Sequence, residues 1–247
     1  MTDDGAQTRG PGVAVARVAG LWRFPVKSLA GEALESAEVA WHGVLGDRRW
    51  ALVRGDVRGS GFPWLTLRQR PDLGRYHPSF VEPDQPDKSR VVVRTPAGAT
   101  LDILDPAFAV EFGEQVFAMK QDRGVFDVMP LSVLTTGSVA WLSDALGRVV
   151  EPERFRPNII LTALAGPACV EDTWVGRTLT IGTLQIRIDQ RDARCAVVNI
   201  APGDGVRDPS VLRVIAQSRQ GCLGVYGSVV RPGRLQVGDT AWLDAEG

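Results

Sequence analysis

One cysteine in this chain has neighbours that suit thiolate chemistry. Cys195 directly follows residues 187–194, a segment that mixes charged, polar and apolar residues. Arg191 and Arg194 lie just before the cysteine. Guanidinium groups close to a thiol favour the thiolate, which attacks electrophiles or binds a soft metal ion. A buried structural cysteine flanked by solvated arginines would have the same local sequence. Taken alone, the segment leaves both interpretations open.

Three other segments contain residues that suit an anionic ligand. Lys27 and Ser28 combine a point charge with a hydroxyl, and Arg48 follows Gly46, a residue that allows a tight turn. Arg156 and Asn158 flank a proline just before an apolar strand. The fork of an arginine matches phosphate oxygens, and an asparagine amide matches a pterin or peptide edge. Four such segments, one with a thiol, predict a phosphorylated ligand that meets a soft centre, although the residues alone do not name it.

The elements that must position these residues are mostly strands. Alternating apolar residues bounded by Gly and Pro predict one long strand and two hairpins. The predicted segments are residues 13–22, 90–94 with 100–104, and 179–181 with 184–188, followed by a short strand at 235–237. The proline-rich residues 76–89 are predicted to form an exposed loop, and residues 113–127 a softer domain boundary.

Helical spacing is confined to two places. Residues 136–146 place three apolar side chains on one face before a glycine, and an N-cap at Asp208 precedes Leu212, Ile215 and Arg219. Short strands with frequent turns and few helices predict a mainly β (α+β) fold with two barrel-like lobes.

The composition argues against several classes of protein. Among 247 residues, with a formal net charge of −1, the three cysteines are widely spaced, which fits a reducing compartment rather than a disulfide framework. The only histidines are His42 and His77, so neither a hydrolytic zinc site nor a Ser–His triad has support. The basic residues are not interleaved with aromatic ones, which argues against nucleic-acid binding.

The chain ends and hydropathy give expectations about location. Residues 1–12 are polar with Gly and Pro and lack the pattern of a signal peptide, so they are expected to be a disordered tail. No segment approaches the roughly 20 apolar residues that a spanning helix needs. A cytoplasmic protein without membrane contact is therefore expected.

Motifs in both halves of the chain resemble the MOSC family. The N-terminal half carries Pro-Val-Lys-Ser-Leu-x-Gly-Glu, Gly-x-x-Gly-Asp-Arg-Arg-Trp and Arg-Gln-Arg-Pro, at residues 25–32, 43–50 and 68–71. The C-terminal half carries Arg-Phe-Arg-Pro-Asn-Ile, Glu-Asp-Thr-Trp and Arg-Cys-Ala-Val-Val-Asn-Ile, at residues 154–159, 171–174 and 194–200, and a closing Leu-Gly-Val-Tyr…Pro-Gly…Val-Gly-Asp pattern from residue 223. Their joint order and spacing extend the resemblance over residues 13–243.

The resemblance implies a MOSC N-terminal β-barrel domain at residues 13–112 and a MOSC domain at residues 113–247. It also implies a molybdenum–molybdopterin cofactor, with Cys195 as the catalytic residue and the metal ligand. The residues that it implies for binding the cofactor are Lys27, Ser28, Arg48, Thr135, Thr136, Arg156, Asn158, Arg194 and Cys195. Cys169 is expected to be structural, and Cys222 has no assigned role.

The implied activity is similar to that of the mitochondrial amidoxime-reducing component and its bacterial counterparts. It is the two-electron reduction of amidoximes, hydroxylamines or N-oxides, with the metal and pterin carrying the redox step. Too few cysteines are present for an iron–sulfur cluster, so a separate ferredoxin-, cytochrome- or flavin-type donor is expected. One alternative is a carrier of molybdopterin or persulfide sulfur without reductase activity, and another is a fold that has lost the cofactor.

Overall fold

The computed structural model of the chain describes residues 12–57 and 61–244. The predicted tail, residues 1–12, lies outside the described residues except for Gly12. The strands in order are β1 (Val13–Arg23), β2 (Glu32–Leu34), β3 (Ser36–Ala40), β4 (Gly43–Val44), β5 (Trp50–Arg54), β6 (His77–Phe80), β7 (Val91–Arg94), β8 (Thr100–Asp102), β9 (Val116–Lys120), β10 (Leu131–Thr135), β11 (Ile159–Ala163), β12 (Thr178–Ile181), β13 (Leu184–Ala193), β14 (Cys222–Arg231), β15 (Gly233–Gln236) and β16 (Thr240–Leu243). The α-helices of the described residues are α1 (Pro106–Val110), α2 (Thr136–Leu146) and α3 (Ser210–Arg219).

Seven strands close into a barrel, with β2 attached at one side. The order β11-β10-β14-β13-β12-β16-β1 closes because β1 also pairs antiparallel with β11, through partners such as Leu21 and Ile159. Apolar residues at alternate positions of β13, among them Ile186 and Ile188, fill the interior together with Leu179. Alternation of this kind places one face of every strand in the barrel core.

Three small sheets lie outside the barrel. Their strand orders are β15-β3-β4, β5-β9 and β6-β7-β8. One of them, β15-β3-β4, packs Ala37, Val39 and Leu235 against the barrel core, and the other two surround a second core. Three aromatic rings, Tyr76, Phe108 and Phe112, contact one another edge to face in this core, with centroids 4.9–6.1 Å apart. The predicted mainly β fold with few helices is therefore confirmed, with one closed barrel and one lobe of smaller sheets.

Both predicted helices are present and pack beside the barrel. The side chain of Thr135 accepts a hydrogen bond from the backbone of Ser138 at the start of α2, and Gly147, in the left-handed region, ends this helix. Helix α3 follows Asp208 and Pro209 and buries Ile215. Helix α1 was not predicted, because five residues are too few to show helical periodicity.

The prediction of an uninterrupted loop at residues 76–89 was wrong in part. Residues His77–Phe80 form β6, an edge strand whose neighbour in its sheet is β7. Pro78 is tolerated there because an edge strand leaves one row of backbone groups unpaired. The hairpins formed by β7 with β8 and by β12 with β13 agree with the predicted ones. Within the described residues, no helix has the length and apolar character to cross a membrane.

Candidate functional site

One cavity between the two lobes brings together most of the residues predicted to act. Seven of the nine predicted binding residues line it. They are Lys27, Ser28, Arg48, Arg156, Asn158, Arg194 and Cys195. The first three come from the segments around β1, β4 and β5, and the other four from the segments around β11 and β13. Segments about 170 residues apart in sequence therefore form one site.

Three of the lining residues have backbone conformations that non-glycine residues rarely adopt. Ser28, Arg48 and Arg156 have φ angles of 69°, 50° and 53°. A left-handed conformation costs a non-glycine residue roughly 1 kcal/mol or more, and such residues concentrate at functional sites. Each occurs where the chain turns sharply beside the cavity, so the side chain is presented there at some cost in stability.

Arg48 and Arg156 both lie against the ring of Phe24. Their guanidinium carbons are 4.7 Å and 4.2 Å from the ring centroid. Arg48 pairs with Asp47 and donates to the backbone oxygen of Arg156 at 2.9 Å, while Arg156 donates to the backbone oxygen of Leu29 at 2.7 Å. Cation–π contacts with Phe24 and hydrogen bonds to backbone carbonyl oxygens hold the two guanidinium groups side by side.

The positive charge of Arg156 is poorly compensated. Its Nη2 has no hydrogen-bond partner, and no carboxylate lies within salt-bridge distance of its guanidinium among the described residues. Burial, followed by repulsion from Arg48, lowers the pKa of Arg156 to about 9. An anionic ligand placed here would relieve both effects, because it would supply the missing acceptor and the missing charge.

Lys27 lies in the same wall and is partly neutralised. Its Nζ donates to the backbone oxygen of Val125 at 3.0 Å and to Asp127 Oδ1 at 2.7 Å. Burial lowers the pKa of Lys27, Asp127 opposes that change, and Arg48 and Arg156 add to it. Asp127 is about half exposed, so a ligand phosphate could compete with it for this ammonium group.

Cys195 is the reactive group that the cavity exposes. The residue is exposed and extended, with φ of −110°, and it precedes the 3-10 turn Ala196–Asn199. The strand β13 ends just before it, and the backbone of Val198 donates to its carbonyl at 3.1 Å. The alternative of a buried structural cysteine is therefore wrong for Cys195, whereas Cys169 is buried.

Arg194 and Asn158 line the cavity but also have internal partners. Arg194 donates to the backbone oxygens of Leu223 and Phe155, at 2.7 Å and 2.9 Å, and pairs with Asp192 at 2.8 Å. The amide of Asn158 bridges the backbone of β1 and β10. Both residues fix the geometry of the wall, and they retain only part of their hydrogen-bonding capacity for a ligand.

Thr135 and Thr136 do not reach this cavity, so the structure does not support their predicted place in it. They line a different surface cavity at the start of α2. Thr135 is buried and its hydroxyl donates to Glu171 at 2.7 Å, while Thr136 is exposed and bonds Thr162 at 3.2 Å. Capping of α2 directs Thr135 away from the cavity.

Arg191, whose charge was expected beside the thiol, also does not line the cavity. It pairs with Asp172 at 2.8 Å and donates to the backbone oxygen of Arg219. Adjacent residues of a strand point to opposite faces, so Arg191 and Asp192 face in different directions. Of the two arginines before Cys195, only Arg194 contributes to the site.

Sequence reasoning missed several residues of the wall. They are Thr66, Arg68, Phe126, Asp127, Ser132, Arg154, Asp192 and Tyr226. Arg68, Arg154 and Tyr226 lay inside quoted motifs, which was the available signal. Ser132 and Asp192 could not be found this way, since a serine in a strand and an aspartate in a basic run look ordinary.

The charges of the lining residues favour an anion. Six are basic, namely Lys27, Arg48, Arg68, Arg154, Arg156 and Arg194, and two are acidic, namely Asp127 and Asp192. Carboxylates outside the wall partly compensate this excess, because Arg48 pairs with Asp47 and Arg154 with Glu151. Arg154 nevertheless keeps an unpartnered Nε although its side chain is 2% exposed. The cavity therefore offers unpaired donors, excess positive charge and one exposed thiol.

Models of two domain families match this chain. The MOSC N-terminal beta barrel domain matches residues 15–148, and the MOSC domain matches residues 120–241. Together they cover the described chain almost completely, and each contributes residues to the cavity.

Named relatives fall into two groups. Mitochondrial amidoxime reducing component 2 of Bos taurus is 24% identical to this chain. The alignment, 288 positions long with its gaps, covers 92% of this chain and 83% of the relative. Molybdenum cofactor sulfurase of Caenorhabditis elegans is 24% identical over 90% of this chain, which spans only about a third (34%) of that relative. The YUAD protein of Bacillus subtilis shares the fold, with a TM-score of 0.52 at 13% identity over 94% of this chain and 97% of that one.

Proposed function

Because this chain belongs to the MOSC family and carries both the MOSC N-terminal beta barrel domain and the MOSC domain, we propose that its cavity binds a molybdenum–molybdopterin cofactor. We propose further that Cys195 is the protein ligand to the metal, and that residues 13–112 and 113–247 form the two domains. When bound, this cofactor supplies two-electron oxygen-atom chemistry. A soft thiolate suits such a metal.

The observation that carries this proposal is the uncompensated Arg156 in a cavity that also exposes a thiol. Its Nη2 and the Nε of Arg154 are buried donors without partners. Leaving such groups unsatisfied costs roughly 1–3 kcal/mol each, and an anionic ligand with several acceptor atoms would recover that cost. Lys27, Ser28, Arg48 and Arg156 would hold the phosphate and pterin of this ligand.

The reaction that we propose is the reduction of N-hydroxylated compounds, namely amidoximes, hydroxylamines or N-oxides. Support comes from relatives that are named amidoxime reducing components. The match to this chain covers 83% of the length of these relatives. The protein would bind the anion, orient the thiolate of Cys195 and hold the substrate at the open side of the cavity. A separate electron-donor protein of ferredoxin, cytochrome or flavin type and a cytoplasmic location belong to the same proposal.

A second candidate is a carrier of molybdopterin or persulfide sulfur without reductase activity. The similarity to molybdenum cofactor sulfurase over 90% of this chain favours it, as does the exposure of Cys195. An exposed thiol can hold a sulfane sulfur as well as a metal. The two candidates differ in whether molybdenum remains bound to the purified protein.

The test is metal and pterin analysis of protein produced in a host that makes the cofactor. We expect about one molybdenum per chain in the wild type and almost none in Cys195→Ala. Cys222→Ala is the matched control, because Cys222 is partly exposed but does not line the cavity. Pterin without molybdenum in the wild type would favour the carrier, and a Cys195→Ala variant that keeps the metal would refute the ligand assignment.

A further inference from the structure

The proposed reaction consumes protons, and the cavity contains few groups that could supply one. Histidine is the usual proton donor near neutral pH, but neither His42 nor His77 lines this cavity. Arginine does not act as an acid at that pH. Lys27 is tied to Asp127, and Asp127 is itself about half exposed and paired. Apart from Cys195, these exclusions leave the pair formed by Asp192 and Tyr226.

Asp192 has the setting of a buried acid. Its side chain is 1% exposed, and its Oδ2 accepts from the hydroxyl of Ser132 at 2.9 Å and pairs with Arg194 at 2.8 Å. Its Oδ1 has no partner of good hydrogen-bond geometry among the described residues. One oxygen is thus anchored, while the other remains available to a neighbouring donor.

Tyr226 lies beside this carboxyl in the wall of the cavity, with its hydroxyl within hydrogen-bonding reach of Asp192. Ser132 and Tyr226 are direct partners in the pairing of β10 with β14, so their side chains share one face, the face toward Asp192. Tyr226 is more exposed than Asp192 and lines the cavity together with Cys195. A proton could therefore pass from the carboxyl to the phenol and from the phenol to a ligand.

The electrostatic setting agrees with this role. Burial raises the pKa of Asp192, while Arg194, Ser132, Tyr226 and Arg48 oppose the rise without cancelling it. Burial and the neighbouring Asp192 raise the pKa of Tyr226, which keeps the phenol protonated as a donor. A buried carboxyl group whose pKa is raised keeps its proton up to a pH closer to neutral.

We propose that Asp192 and Tyr226 form the proton-delivery pair of this site, a role that rests on the proposed reductase function. For an amidoxime the balance is R–C(NH₂)=NOH + 2 e⁻ + 2 H⁺ → R–C(NH₂)=NH + H₂O. The N–O bond breaks, the leaving oxygen becomes water, and the electron-donor protein, or reduced viologen in its place, supplies both electrons. The hydroxyl of Tyr226 gives one proton to the leaving oxygen and takes the proton of Asp192, which solvent later replaces. The second proton goes to the nitrogen of the broken N–O bond and comes from solvent at the open side of the cavity.

The experiment compares Asp192→Asn, Tyr226→Phe and the double variant as cofactor-loaded proteins, with reduced viologen and benzamidoxime as probes. We expect unchanged molybdenum content and kcat lowered roughly 100-fold in each single variant, which is typical of a lost general acid. The wild-type kcat should fall as the pH rises through the pKa of Asp192, and the Asn variant should lose this dependence. The double variant should be no slower than either single one, because both residues serve one transfer.

A second readout does not need the cofactor. In the infrared difference spectrum of the cofactor-free wild type, we expect a protonated-carboxyl band that disappears with rising pH and is absent in Asp192→Asn. Glu171→Gln is the matched control, because Glu171 is also fully buried but does not line the cavity, and its variant should keep the band assigned to Asp192 and the pH profile.

The two proposals fail in different ways. Wild-type protein without molybdenum would refute the proposed function, and the infrared titration would still report on Asp192. Molybdenum-loaded, active wild type with an Asp192→Asn variant of equal kcat and equal pH profile would refute the proton-delivery pair alone. A band that is unchanged by Asp192→Asn would also refute it.

Discussion

Replacing Arg156 by methionine should stabilise the protein without ligand and weaken its binding of anions. Methionine is close to arginine in length and can pack on Phe24, but it carries no charge. The substitution removes a guanidinium that has one unpartnered nitrogen and no carboxylate partner among the described residues. A buried charge without a partner destabilises the folded state, and removing it should therefore raise the free energy of unfolding.

The magnitude follows from the environment of Arg156. A pKa lowered from 12.5 to about 9 corresponds to roughly 5 kcal/mol for keeping the charge in the folded protein. Partial exposure to the cavity reduces this figure by screening. The variant also loses the hydrogen bond to Leu29 and the contact with Phe24, and this loss reduces the expected stabilisation by about 2–3 kcal/mol. A net gain of about 1–2 kcal/mol remains, which corresponds to a rise in Tm of about 2–8 °C.

Differential scanning fluorimetry of cofactor-free protein, with and without inorganic phosphate, measures both effects. Phosphate should raise the Tm of the wild type more than that of Arg156→Met, because one charge-assisted bond is lost, roughly a tenfold change in affinity or more. The gain in stability of the variant should be complete below pH 9. It should shrink as the pH rises from about 9 toward 12.5, since there the wild-type side chain loses its charge.

Arg49→Met provides the matched control. Arg49 is also buried, but it pairs with Asp87 and donates to the backbone oxygen of Gln121 at 2.7 Å. Its loss should lower the Tm, because partners are left unsatisfied. If Arg156→Met lowered the Tm as much as Arg49→Met does, the charge of Arg156 would be well compensated in the free protein, contrary to this prediction.

Two further predictions concern the residues of the site. Thr136→Ala should leave molybdenum content and Tm unchanged, because Thr136 is exposed and lies outside the cavity; a loss of metal would contradict the placement given above. Ser28→Gly should keep or raise the Tm, since glycine removes roughly 1 kcal/mol of left-handed strain at φ 69°, while phosphate affinity measured by calorimetry falls several-fold with the lost hydroxyl. A Tm lowered by several degrees would show that no such strain exists at Ser28.

The sequence was most informative where a local pattern determines the structure. The hairpin of β12 and β13 follows from strict alternation and a Gly-Thr turn, and α2 agrees with its predicted bounds because a threonine cap and a glycine mark its ends. The edge strand β6 was missed because prolines usually argue against strands. Its partner is β7, the next strand, but ten residues rich in proline and charge separate the two, and no short hairpin turn indicates their pairing.

For the site, the motifs found the groups whose charge or sulfur is conspicuous. Lys27, Arg48 and Cys195 were predicted from their types, and the structure brings them to one cavity. Asp192 was passed over because its importance comes from burial and from its contact with Ser132, a residue 60 positions away. The direction in which Thr135 points was also inaccessible, since Glu171 and the start of α2 decide it.

The pairing of β1 has a consequence for how the chain folds during synthesis. Among the described residues β1 is the first strand to be synthesised, yet in the barrel it lies between β11 and β16, and β16 is the last strand of the described chain. The barrel therefore cannot close until Thr240–Leu243 has been made. Until then β1 exposes an unpaired edge that can associate with other chains. We therefore expect the yield of folded protein to depend on chaperones and on temperature, even when every residue of the cavity is intact.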